Sequence, residues 1–165
     1  KQCQQYGFVA PANYNAPGQI VIAGEAQATE KAASLVQEKG AKIVSKLNVS
    51  GPFHTALLES ASKKLAEELH KLKLHNMNIP VITNVTGKEV ENTEEIVPLL
   101  IKQIMSPVRW EETILTLSEK GVDTFVEIGP GKTLSGFVKR TIKGATILNV
   151  ENQKTLEKTL EKLLV

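Results

Sequence analysis

From residue 55 onward the apolar positions alternate between helical spacing and short extended runs, which restricts this part of the chain to an α/β layer structure with a largely parallel sheet. Leu57, Leu58, Ala61, Leu65, Leu69 and Leu72 predict a helix over 55–73 with one buried stripe. A strand follows at 80–85 and a turn at 86–88. The next helix, 94–105, tolerates Pro98 only in its first turn, and Thr93 is its candidate cap. After a break at Ser106-Pro107 come a helix over 110–120 closed by Gly121, a strand over 124–128, and a helix from 133 to about 142. A strand over 146–150 and a helix over 153–164 end the series.

The first fifty residues read differently. Segments 7–13 and 19–24 are extended and separated by Asn15-Ala16-Pro17-Gly18, which predicts a hairpin. A helix over 26–39, stopped by Gly40, and a strand over 41–49 complete a small α+β unit with an antiparallel sheet. The pattern breaks at Gly51-Pro52, so residues 1–48 are expected to form a small subdomain and 49–165 part of a larger core. That break delivers His54 to the entrance of a helix, a place where loop-borne catalytic side chains are held. On position alone a capping or packed imidazole is the commoner explanation, since a lone histidine is weak evidence of chemistry. His70 and His75 have no acidic or metal-ligand spacing around them and read as solvated.

Composition excludes several classes. A net charge of +2 and 4% aromatic residues argue against a nucleic-acid binder, which needs a clustered basic face and rings for stacking. One cysteine, Cys3, rules out an internal disulfide and a cysteine-based zinc cluster, in keeping with a reducing cytosol. No apolar run reaches the roughly 18 residues of a membrane span. The sequence begins without methionine, and a fragment is expected.

Two motifs fail on spacing. Gly129-Pro130-Gly131-Lys132-Thr133 between a strand and a helix resembles a phosphate loop, but its first glycine would have to stand at Val126. The Gly-x-Ser-x-Gly elbow of hydrolases is absent from all the serines. If His54 is a catalytic base, its nucleophile lies outside these residues.

Five blocks in order carry a family resemblance: Pro11-Ala12-Asn13-Tyr14-Asn15-Ala16-Pro17-Gly18-Gln19-Ile20-Val21-Ile22-Ala23-Gly24, Val49-Ser50-Gly51-Pro52-Phe53-His54, Pro80-Val81-Ile82-Thr83-Asn84-Val85, Gln103 with Pro107-Val108-Arg109-Trp110, and Glu127-Ile128-Gly129-Pro130-Gly131-Lys132. Over essentially its whole length the chain resembles the C-terminal half of the bacterial malonyl-CoA:acyl carrier protein transacylases. The resemblance implies the C-terminal part of an α/β-hydrolase-like acyltransferase core, with most of a small ferredoxin-like α+β subdomain. It implies a cytoplasmic enzyme of fatty-acid synthesis that moves a malonyl group from coenzyme A to the phosphopantetheine thiol of acyl carrier protein through a serine ester, without a metal or redox cofactor. His54 aligns with the catalytic histidine, and Gln103 with the residue whose main-chain carbonyl orients it. Phe53, Asn13 and Asn15 are implied substrate contacts; in the wider family a Phe before the histidine accompanies malonyl and a Ser methylmalonyl. The serine, the oxyanion-hole groups and the malonate-binding arginine of these enzymes belong to the preceding half, the implied partner of this chain. Because acyl carrier proteins are acidic, Lys132, Lys139, Arg140 and Lys143 are a candidate docking face, although a solvated helix face explains them equally. A non-catalytic carrier-protein-binding module and a polyketide-synthase-type acyltransferase segment are the alternatives.

Overall fold

The computed structural model describes residues 2–164. Strands β1 (Val9–Ala16) and β2 (Gln19–Gly24) form the expected hairpin, closed by Pro17-Gly18. The β1 ladder slips between Pro11 and Asn13 and again between Tyr14 and Ala16, so Ala12 and Asn15 are the irregular positions. Helix α1 (Ala26–Glu38) packs back on the hairpin through Ala28, which is fully buried.

Helices α2 (Glu59–Leu69) and α3 (Ile96–Gln103) pack on one another. They are followed by the two-residue strand β3 (Val108–Arg109) and α4 (Trp110–Glu119). Then come β4 (Thr124–Ile128), α5 (Thr133–Thr141), β5 (Thr146–Val150) and α6 (Gln153–Leu163). β4 and β5 pair in parallel through a right-sized helical crossover, as the alternation of elements requires. β3 pairs in parallel with β1, Asn13 opposite Val108, so the hairpin and the chain beyond the Gly51-Pro52 break share one three-stranded sheet, β2-β1-β3. The core lies where α4 and α5 cover β1 and β5, with Ala12, Ala16, Val108, Ile114, Phe137, Val138 and Leu148 buried.

Several expected elements are corrected. Residues 41–49 form no strand; they are irregular and exposed throughout, with Ile43 86% accessible. A strand is stable only when a neighbour takes its backbone groups, and no segment among the described residues pairs with this one. The 80–85 strand shrinks to a single antiparallel bridge, Ile82 with Glu89. The parallel pairs lie in two small sheets rather than one. The helix expected over 55–73 begins as a 3₁₀ turn, Ala56–Leu58, and ends at Leu69; Leu57 and Leu72 are exposed, and its only fully buried residue is Ser62. The helix expected over 94–105 likewise opens with a 3₁₀ turn, Thr93–Glu95, for which Asn92 rather than Thr93 holds the cap position. At α6, Asn152 and Thr155 form a reciprocal capping box that the sequence reading did not identify.

Candidate active site

Residues 50–55 are irregular, Pro52 having no N–H to offer a ladder or a helix, and the backbone turns at His54 ahead of the 3₁₀ turn Ala56–Leu58. His54 sits at φ 61, the only non-glycine residue with positive φ among the described residues. For a residue with a Cβ the left-handed region costs roughly 1–2 kcal/mol, so the surrounding contacts must enforce it. One such contact is adjacent: buried Thr55 donates its hydroxyl to the Pro52 carbonyl at 2.7 Å, closing a tight turn around the histidine.

The His54 ring meets Gln103, 49 positions away. Nδ1 lies 3.1 Å from the Gln103 main-chain carbonyl and 3.3 Å from the Gln103 side-chain amide nitrogen. One nitrogen cannot donate to the carbonyl and accept from the amide in the same tautomer. The shorter contact selects Nδ1–H, which leaves the Nε2 lone pair free to take a proton. The Gln103 carbonyl is available because it closes α3, where the last carbonyls have no helical donor; the Ser106 N–H reaches it only at 3.4 Å. A second tie holds the same helix end. Ser62 of α2 donates to the Ile101 carbonyl at 2.9 Å, so α2 and the His54 loop each satisfy one terminal carbonyl of α3. The sequence reading missed both Ser62 and Thr55. The available signal was Ser62 at four residues from Leu58 and three from Leu65, a hydroxyl on the apolar stripe that needs a partner when buried.

Phe53 is half-exposed, beside Gly51. Asn13 lies mid-strand in β1, opposite Val21 on one side and Val108 on the other, and Asn15 falls in the second slip of the ladder. Among the described residues no hydrogen bond joins either asparagine to His54 or Gln103. His70 and His75 are exposed.

The Gly129–Lys132 turn at the carboxyl end of β4 has a second, tighter construction. Gly129 and Gly131 adopt φ 143 and φ 84 with open space where a Cβ would stand, so backbone angle rather than packing demands glycine. Glu127 reaches over this turn and accepts from the Leu134 N–H at 3.1 Å, the Ser135 N–H at 2.8 Å and the Ser135 hydroxyl at 2.6 Å. Burial pushes this carboxyl up, but the hydrogen bonds from Ser135 and Leu134 together hold it below the usual carboxylate range. The amide donors that a phosphate would need at the start of α5 are therefore already occupied by a carboxylate, which explains physically why the loop is no nucleotide cradle. Lys132 caps α5, Lys139 and Arg140 lie in its last turn, and Lys143 stands beyond it because Ile142 is extended. All four are exposed, and none is in an ion pair among the described residues. Since the helix ends at Thr141, Lys139 and Arg140 lie on α5 itself and Lys143 on the segment that follows it. No helix among the described residues is long and apolar enough to cross a membrane.

The acyl transferase domain matches residues 1–160. Malonyl CoA-acyl carrier protein transacylase of Bacillus subtilis is 42% identical over 99% of the chain and 51% of its own length, and that of Haemophilus influenzae is 38% identical over 100% and 53%. Among solved structures, the transacylase of Clostridium perfringens superposes with a TM-score of 0.93 at 48% identity, over 99% of this chain and 51% of that one. A malonyl-transacylase solved in complex with a type II polyketide acyl-carrier protein gives 0.93 at 38% identity, over 98% and 52%. The chain spans about half the length of the curated relatives it matches. With a strained histidine tied to a helix-terminal carbonyl and a match along nearly its whole length, the chain belongs to the acyl transferase domain family.

Proposed function

We propose that this chain is the histidine-bearing half of a malonyl-CoA:acyl carrier protein transacylase of fatty-acid synthesis, acting in the cytoplasm. The observation that carries the reading is the His54–Gln103 pair, whose Nδ1–H donates to a main-chain carbonyl and leaves Nε2 as a base. The nucleophilic serine belongs to the part of the relatives that this chain does not span. The division into a ferredoxin-like unit (1–48) and an α/β-hydrolase-like core (49–165) forms part of this reading. So does the seating of the other half on exposed Ile43, Leu47, Ile79 and Ile128.

The chemistry is a two-step exchange that uses no metal or redox cofactor. His54 takes the serine proton as the serine oxygen attacks the malonyl thioester carbonyl. The C–S bond then breaks, and the imidazolium returns that proton to the coenzyme A thiolate. In the second half His54 accepts the proton of the phosphopantetheine thiol, whose sulfur attacks the serine ester, and the serine leaves reprotonated. One base thus serves both thiols, and ping-pong kinetics follow.

Phe53, beside the histidine, is the proposed filter against an α-methyl group, with Asn13 and Asn15 as further substrate contacts. In the full-length enzyme Phe53→Ser is expected to raise the kcat/KM ratio of methylmalonyl-CoA to malonyl-CoA. One methyl is worth about 1–3 kcal/mol, so the filter is leaky. An unchanged ratio removes Phe53 from specificity.

Lys132, Lys139, Arg140 and Lys143 form the proposed landing face for an acidic carrier protein. Charge reversal at Lys139 and Lys143 together is expected to raise KM for the carrier protein, more at low salt than at high. Exposed charges act mainly on encounter and are screened over about 8–10 Å at physiological salt. Equal effects on both substrates, or none that salt alters, reject this face. A polyketide-type carrier is the second reading, favoured by the relative solved with such a protein. A higher kcat/KM for a polyketide carrier than for a fatty-acid carrier decides for it.

A further inference from the structure

We infer that Glu127 is a positioning residue for carrier-protein recognition: its carboxylate fixes the first turn of α5, and thereby where the helix presents Lys139 and Arg140. The inference rests on the docking reading above and adds the device that aims the docking face.

The buried face of α5, Phe137 and Val138, is apolar, and apolar contact is non-directional; it holds the helix against the sheet without fixing its rotation. Direction comes from Glu127. Three donors of Leu134 and Ser135 converge on one carboxylate whose own strand, β4, is paired with β5 along its full length. Opposite Glu127 in that ladder stands Asn149, whose amide donates to the Gly131 carbonyl at 2.8 Å and more weakly to the Glu127 carbonyl at 3.4 Å. Strand, turn and helix start are braced from both strands of the sheet. At the far end of α5, Arg140 donates through Nε to the Gly136 carbonyl at 3.3 Å, and its guanidinium lies 5.2 Å from the centre of the Phe137 ring. The Arg140 head group is thus referenced to the helix body, and the helix body to Glu127. Lys139 follows Ser135 by four residues, a rise of about 6 Å, so rotation at the first turn passes directly to the cations.

The test uses the full-length enzyme. Glu127→Gln keeps one acceptor oxygen, which can serve Ser135 or Leu134 but not both, and sets an NH2 group against the remaining N–H. KM for the carrier protein is expected to rise about tenfold, the scale of one charge-assisted hydrogen bond, with kcat and KM for malonyl-CoA little changed. Ser135→Ala, which keeps the carboxylate, is expected to give a smaller rise in the same constant and serves should Glu127→Gln fold poorly. Because Glu127 acts through Lys139 and Arg140, adding Glu127→Gln to the Lys139→Glu/Arg140→Glu double variant should raise KM for the carrier protein no further. Additive losses, or equal losses for both substrates, overturn the positioning role. If Lys139→Glu raises KM for the carrier protein while neither Glu127→Gln nor Ser135→Ala does, the positioning role fails and the docking face stands. If Lys139→Glu is silent, the docking face fails and the inference with it.

Discussion

His54→Ala in the full-length enzyme is expected to lower kcat for malonyl transfer by about 10²–10⁴-fold, the contribution of one positioned acid–base group. The fold should survive. Alanine carries the same Cβ into φ 61, and the Thr55–Pro52 turn that enforces this backbone does not involve the imidazole. Among the described residues the ring's one hydrogen-bond partner is Gln103, half-buried at the end of α3, and Ser62 still joins α2 to that helix. Steady-state rates with both thiols, read beside a thermal melt, check the prediction. Both half-reactions should slow together, because in the proposed mechanism one nitrogen serves both thiols. A variant that keeps most of its rate removes His54 from the chemistry, and loss of only one half-reaction divides the two proton transfers between different groups.

The 165-residue chain by itself is expected to transfer no malonyl group. A base without a nucleophile cannot form the serine ester, and the nearby hydroxyls are unsuited to replace it. Thr55 and Ser62 are each 2% exposed and committed as donors to the Pro52 and Ile101 carbonyls. Incubation with labelled malonyl-CoA and carrier protein should leave the carrier unlabelled, whereas the full-length protein under the same conditions labels it. Labelling by the purified 165-residue chain, free of contaminating enzyme, overturns the division of the site between two halves.

Elements that need only their own residues were legible from the sequence. The amphipathic helices, the stops at Gly40 and Gly121, the hairpin around Pro17-Gly18, and the strand-turn-helix at 124–141 follow from side-chain period and backbone preference, both of which are local. His54 was legible as a loop histidine at a helix entrance, and the five ordered blocks pointed to its family. Strand pairing was not legible, because it is a property of two segments. Residues 41–49 have strand-like composition yet stay irregular without a neighbour, while Val108–Arg109 carry almost no pattern and become a strand by lying beside Asn13 and Tyr14 of β1. The same reason governs the site. That Gln103 meets His54 was expected from the resemblance, but only the packing of α2 on α3 sets the 3.1 Å contact, the left-handed turn at His54 and the tie from Ser62. Local sequence decides what a segment can be, whereas hydrogen-bonding groups distant in sequence are brought within reach of each other only by the docking of apolar faces.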